Sequence, residues 1–135
     1  MRRNDFLIID FEGEPARPVS ERREKSSALR DVAGMLRSFS YARRAMSQDG
    51  TGATQEARVA REARLVRWEA ATRAAFLAAY ETAAREATLM DSLAPRLPLL
   101  RLFEIEKALY ELRYELRSRP DWVALPLNDL LASLA

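Results

Sequence analysis

Residues 29–39, LRDVAGMLRSF, carry the clearest helical pattern in this chain of 135 residues. Their apolar side chains recur at intervals of three, four and three, which places them on one face of a helix. These side chains are Leu29, Val32, Leu36 and Phe39. Ser27 is a plausible cap, and Asp31 in the first turn complements the helix dipole. The pattern predicts a helix from about Ala28 to Ala45 whose apolar face lies in the core.

The rest of the chain is predicted to be mainly helical. Residues 12–28 contain prolines and a charged run, and predict an irregular loop. A break over residues 47–54 precedes a long second helix over about 55–90. A third helix is expected over about 99–119, and a short terminal helix over 127–134. At ~1.5 Å per residue the second helix would approach ~50 Å, so we expect a bend or a break in it.

Two apolar stripes are expected to pack in the core. On the second helix the stripe is Val59, Ala63, Val66, Ala70, Leu77, Tyr80 and Ala84. On the third helix it is Leu102, Ile105, Leu109, Leu112 and Leu116. Opposite charges four residues apart should decorate the other faces of the second helix. These pairs are Arg58–Glu62, Glu69–Arg73 and Glu81–Arg85.

Near the N-terminus, residues 5–19, DFLIIDFEGEPARPV, combine a short apolar run with three acids. Residues 6–11 predict the one convincing strand of the chain. This strand delivers Asp10 into a turn that carries Glu12 and Glu14. Two interpretations stay open for these acids. Either they are solvated groups at the end of a strand, or they hold Mg²⁺ against the phosphates of a nucleotide.

Composition excludes several kinds of chemistry. The sequence has no cysteine and no histidine. Disulfides, Cys-based zinc sites and histidine general bases are therefore excluded. The net charge is only +2, with Arg and Glu alternating along the helices, so nucleic acid is not an expected partner. No run approaches the ~20 apolar residues of a membrane span or forms the core of a signal peptide, so the chain is expected to be cytoplasmic.

Two longer motifs resemble one enzyme family. Residues 9–42, IDFEGEPARPVSERREKSSALRDVAGMLRSFSYA, resemble the C-terminal lobe of bacterial maltokinases, and so do residues 103–127, FEIEKALYELRYELRSRPDWVALPL. Maltokinases belong to the aminoglycoside-phosphotransferase-like branch of the protein-kinase fold, and occur alone or fused to trehalose synthase. The resemblance implies a helical C-terminal lobe of a kinase-like α+β fold, with one short N-terminal strand or hairpin remnant. Residues 1–135 would then form a single partial domain.

The same resemblance implies roles for particular residues. Asp10 would be the metal-binding Asp of the DFG element, which is written DFE here. Glu12, Tyr110 and Tyr114 would bind substrate, with the tyrosines bordering the disaccharide pocket. Asp31 resembles the Asp that braces the catalytic loop. For the tyrosines, packing at a seam between helices is an equal alternative, because a ring and a hydroxyl serve either purpose.

The resemblance implies Mg²⁺ and ATP as cofactor and co-substrate of an intact parent enzyme that converts maltose into maltose 1-phosphate. The catalytic loop of such kinases has a His-Gly-Asp motif shortly before the DFG-like element, and this chain has no histidine. We therefore expect the catalytic loop and the N-terminal lobe to be absent. The isolated chain should then be inactive, and no cofactor is expected for it. The alternative is a non-catalytic helical interaction module that pairs with a separate partner, such as a missing N-terminal lobe, or dimerises.

Overall fold

The computed structural model describes residues 18–48 and 54–134. Helices and turns make up these ranges, which contain no strand, so the mainly helical class is confirmed. The helices are α1 (Val19–Arg22), α2 (Leu29–Gln48), α3 (Gln55–Glu86), α4 (Leu97–Ser118) and α5 (Ala124–Leu134). The predicted strand over 6–11 lies outside the described residues. None of the described helices is both long and apolar enough to cross a membrane.

Helix α2 is the centre of the described structure. Helices α3, α4 and α5 all pack against α2, and α5 also packs against α4. The backbone of α3 approaches that of α2, and its Arg73 side chain also reaches Glu104 of α4. The N-terminal half of α2 supplies most of the apolar core, so the predicted apolar face is confirmed. The buried core residues are Leu29, Val32, Ala33, Leu36, Leu93 and Leu100, with Phe39 packed against them.

The predicted helix ends are correct to within a few residues. The Ser27 hydroxyl accepts a hydrogen bond from the Leu29 backbone N–H at 3.3 Å, but α2 begins at Leu29, so the cap position is Ala28, one residue after the predicted cap. Helices α4 and α5 begin two or three residues before the predicted points, with Pro98 and Pro126 in their first turns. A proline is tolerated there because the first turn needs no backbone N–H. The prediction of an irregular loop over 12–28 is wrong at Val19–Arg22, which form one helical turn.

Helix α3 is continuous over 32 residues, so of the predicted bend or break the break is absent. It ends at Glu86 rather than near residue 90, because Thr88 adopts a left-handed conformation with φ 54°. The Leu89 N–H then donates to the Ala84 carbonyl at 2.8 Å, and the Thr88 N–H donates to the Arg85 carbonyl at 3.0 Å. This is the Schellman arrangement, in which glycine is the usual left-handed residue.

Replacing Thr88 by glycine should stabilise the protein, because a β-branched residue is strained at positive φ. We expect Thr88→Gly to raise the free energy of unfolding by about 1 kcal/mol in a urea titration. Thr82→Gly is the matched control, since Thr82 lies inside α3, where replacing threonine by glycine should lower stability by roughly 0.3 kcal/mol. A loss of stability in both variants would contradict the assignment of strain to residue 88.

Both predicted core stripes are wrong over most of their length. On α4, Leu102, Leu109 and Leu116 are 57%, 48% and 57% exposed. On α3, the N-terminal part of the predicted stripe, including Val59 and Val66, is also exposed. The two helices carry apolar residues on several faces, so apolar periodicity alone does not decide which face packs inward. The inward face of α4 instead carries acidic residues, including Glu115.

Arginines of α2 pair with these acids. Arg37 is only 5% exposed, and its guanidinium binds Glu111 of α4 at 2.7 Å and Asp129 of α5 at 2.8 Å. Burial of the guanidinium lowers its pKa, but the hydrogen bond and charge of Glu111 and the charge of Asp129 outweigh burial, so the pKa of Arg37 is raised overall. One α2 side chain thereby fixes the positions of two other helices.

A second arginine of α2 connects it to α3. Arg43 donates to Glu69 at 2.5 Å and to Glu62 at 2.6 Å. The predicted pairing of these glutamates along α3 is therefore wrong, and Arg73 pairs with Glu104 of α4 at 2.7 Å instead. Only the third predicted pair is confirmed, with Arg85 3.5 Å from Glu81. Glu62 and Glu69 therefore pair with an arginine of the neighbouring helix α2 and not with arginines of α3.

Removing the Arg37 guanidinium should be strongly destabilising, because it leaves Glu111 without its buried counter-charge and takes away one of the three arginines, with Arg43 and Arg44, that surround Asp129. We expect Arg37→Met to lower the free energy of unfolding by about 3 kcal/mol or more in a urea titration. Arg30→Met is the matched control. Arg30 also joins α2 to α4, through Glu106, but the two side chains are 38% and 43% exposed, so the loss should stay below about 1 kcal/mol. Equal losses would contradict the central role of Arg37.

Candidate functional site

Two clefts open among the described helices. The larger, of about 500 Å³, lies between α3 and α4 over α2. Charged groups lining it pair with each other, as in the Arg73–Glu104 and Arg43–Glu69 pairs. Neither predicted tyrosine lines this cleft. Its polar groups are therefore engaged in joining the helices to one another.

The second cleft, here called the α2–α4 cleft, has a volume of about 370 Å³. It lies between α2 and α4 and is closed on one side by α1 and the turn after it. Its volume falls in the range of small-molecule sites, and it combines aromatic with charged side chains, as such sites do. The residues that matter for its chemistry are Arg30, Asp31, Gly34, Phe103, Glu106, Lys107 and Tyr110.

Cations cover the aromatic rings of the α2–α4 cleft. The Arg30 guanidinium carbon lies 4.5 Å from the centre of the Phe103 ring, while Arg30 Nη1 donates to both carboxylate oxygens of Glu106 at 2.8 Å. Lys107 Nζ lies 4.7 Å from the centre of the Tyr110 ring. Both are cation–π contacts. A ligand that stacks on these covered ring faces must first displace a flexible cation.

Asp31 and Gly34 form the α2 side of this cleft. Asp31 is exposed, and within residues 18–48 and 54–134 its carboxylate accepts no hydrogen bond. Gly34 lies inside a helix, where glycine costs roughly 1 kcal/mol relative to alanine. A Cβ placed there would meet nothing within 4 Å, so packing among the described residues gives no reason for glycine. The combination leaves a carboxylate beside an open space.

The structure separates the predicted site residues. Tyr110 lines the α2–α4 cleft, whereas Tyr114 is half exposed, with the Arg119 guanidinium carbon 5.6 Å from its ring centre, and is not part of the lining. Asp10 and Glu12 lie outside the described residues. Within the described ranges, no group of three or more His, Cys, Asp or Glu side chains could hold a metal ion.

Sequence reasoning missed Arg30, Phe103 and Glu106. Phe103 and Tyr110 are seven residues apart, which places both rings on one helix face, and this spacing could have found Phe103. No local signal could have found the Arg30–Glu106 pair, because its members are 76 positions apart.

Comparison with known proteins points to one class of enzyme. The chain matches no family model. It is 31% identical over 134 positions to a protein named glucosamine kinase from Streptacidiphilus jiangxiensis. The match covers 93% of this chain and 27% of that protein, so the chain spans about a quarter of the relative's length. The chain is thus similar to part of a sugar kinase.

Proposed function

We propose that this chain is the sugar-side part of an ATP-dependent sugar kinase, a single partial domain with a kinase-like fold, and that the α2–α4 cleft binds the sugar. One observation carries the proposal. Asp31 belongs to the first kinase-like motif and Tyr110 to the second, and both line the same cleft. Two distant motifs that converge on one small-molecule-sized cleft support a shared ligand. Similarity to a sugar kinase supports the class of that ligand.

The cleft offers groups that suit a sugar. The Tyr110 ring can cover a face of C–H groups while its hydroxyl hydrogen-bonds. Asp31, which by the resemblance braces the catalytic loop, lies in the same cleft beside the proposed sugar. Transfer of a phosphoryl group depends mainly on positioning and on neutralising charge. In the proposal, Asp10 binds the Mg²⁺ that accompanies ATP, and Glu12 and Tyr114 contact substrate. The catalytic loop and nucleotide-binding lobe come from polypeptide outside this sequence, and the reaction takes place in the cytoplasm.

The finer proposal for the sugar is maltose, with maltose 1-phosphate as the product, because both motifs resemble maltokinases. Glucosamine is the second candidate, favoured by the name of the relative. The two sugars differ in charge, since glucosamine carries an amine that is protonated at neutral pH. An ammonium group would be attracted to the exposed Asp31 carboxylate. Salt should therefore weaken the binding of glucosamine and leave the binding of maltose unchanged.

Filling the cleft at Gly34 should abolish sugar binding. We expect maltose or glucosamine to shift the amide NMR signals of α2 and of Phe103–Tyr110 in the labelled chain. Gly34→Leu should remove these shifts, because its side chain occupies the cleft. Gly34→Ala is the matched control, since a single methyl group meets nothing within 4 Å, and it should keep binding while raising stability by about 0.5–1 kcal/mol. Identical shifts in both variants would place the sugar elsewhere.

Two tyrosine variants then separate the predicted sugar contacts. Tyr110→Phe should weaken binding several-fold, because a hydrogen-bonding hydroxyl is lost from the cleft. Tyr114→Phe tests the other predicted contact, which lies outside the cleft lining. No change in either variant would contradict a sugar contact at this face of α4.

The isolated chain should not phosphorylate either sugar. In a coupled assay of ADP release with ATP and Mg²⁺, we expect a rate no higher than that of a blank without protein. Typical kinases turn over at roughly 1–100 s⁻¹. The reason is that positioning of the attacking hydroxyl needs a catalytic loop, for which this histidine-free sequence has no His-Gly-Asp motif. Sugar-dependent turnover well above the blank would contradict the partial-domain proposal, whereas sugar binding without turnover agrees with it.

A further inference from the structure

One wall of the α2–α4 cleft is formed by residues 18–28, here called the strap. The strap consists of α1 and the turn that follows it, and it leads directly into α2. The strap side chains that line the cleft are all polar, namely Glu21, Arg22, Glu24 and Ser26. A ligand in the cleft therefore meets the strap as well as the two long helices.

Burial of apolar side chains contributes little to holding the strap in place. Helix α1 buries no side chain, and among the described helices none packs its backbone against that of α1. Val19, the one large aliphatic side chain of the strap, is 54% exposed and does not line the cleft. Arg22 is half-buried, and the other strap side chains are exposed. The strap thus lacks the hydrophobic contacts that fix the longer helices.

The backbone hydrogen bonds of the strap are local. The Arg22 N–H donates to the Pro18 carbonyl at 3.1 Å, and the Arg23 N–H donates to the Val19 carbonyl at 3.2 Å. Residues 25–27, which join this turn to α2, have no regular structure. One helical turn is far below the ~12–15 residues at which an isolated helix becomes marginally stable in water. Segments with few buried contacts open locally at almost no cost in free energy.

We propose that the strap opens and closes over the α2–α4 cleft, and that a bound sugar holds it closed. This inference rests on the proposed function, because it takes a sugar as the ligand. Without sugar the strap is open most of the time. A sugar that lies against Tyr110 of α4 can also hydrogen-bond to the polar strap side chains, and it makes these bonds in the closed state alone, so it favours closure. Closure keeps water away from the site of phosphoryl transfer.

Exchange of backbone amide hydrogens, followed by NMR on the full 135-residue chain, tests the closure. The reporters are the amides of Arg22 and Arg23, which exchange whenever α1 opens. We expect saturating maltose, and glucosamine in a separate titration, to slow both amides about tenfold or more. The Arg58 amide is the matched control. It donates to the Thr54 carbonyl at 3.0 Å in the first turn of α3, away from the cleft lining, so its exchange should not change.

Two variants of Ser20 test whether ordering of the strap is coupled to binding. Ser20 is exposed on α1 and does not line the cleft, so its replacement leaves the lining groups in place. Ser20→Gly should bind sugar about threefold more weakly than Ser20→Ala, because glycine favours the open strap and alanine the helical, closed one. Ala57→Gly is the matched control. It makes a similar change near the start of α3 and should leave the affinity for sugar unchanged.

The outcomes separate this inference from the proposed function. Slower exchange at Arg22 and Arg23, together with weaker binding by Ser20→Gly than by Ser20→Ala, supports the strap. If sugar shifts the signals of Phe103–Tyr110 while the strap amides exchange as before, the sugar site stands and the strap proposal is wrong. Equal affinities of the two Ser20 variants have the same meaning. If sugar shifts no signal of α2 or α4, the sugar site and the strap proposal are both wrong.

Discussion

The buried Arg37 guanidinium is the constraint on which the arrangement of helices depends. A charge this deeply buried is tolerated only when opposite charges surround it, and Glu111 of α4 and Asp129 of α5 fill that need. In the same way, Arg43 forms ion pairs with Glu62 and Glu69 of α3. Apolar contacts of α2 supply the hydrophobic stabilisation, whereas the ion pairs of Arg37 and Arg43 decide how each neighbouring helix is oriented.

This orientation also accounts for the α2–α4 cleft. Once Glu111 faces Arg37, rotation of α4 about its own axis is fixed, since residues of one helix turn together. Tyr110 and Lys107 then face the turn that leads into α2, which creates the α2–α4 cleft. The same rotation turns Leu109 away from α2 and leaves it exposed. A structural ion pair on one face of α4 thus decides which side chains line the cleft.

The candidate site could be predicted in part. Asp31 and Tyr110 were found from motifs, because a motif carries information about distant residues that share a function. The Arg30–Glu106 pair and the covered face of Phe103 could not be found, because they depend on how α2 and α4 meet. The similarity to part of a sugar kinase agrees with the class of ligand inferred from the motifs and extends to about a quarter of that relative.

The sequence by itself determined the helical class, the approximate helix ends and the apolar face of residues 29–39. These features depend on interactions within a few residues, so a local pattern contains them. The tertiary structure decided which faces of α3 and α4 turn inward. It did so because leucines and alanines lie on several faces of those helices, and only the buried arginines of α2, many positions away in the chain, distinguish between them.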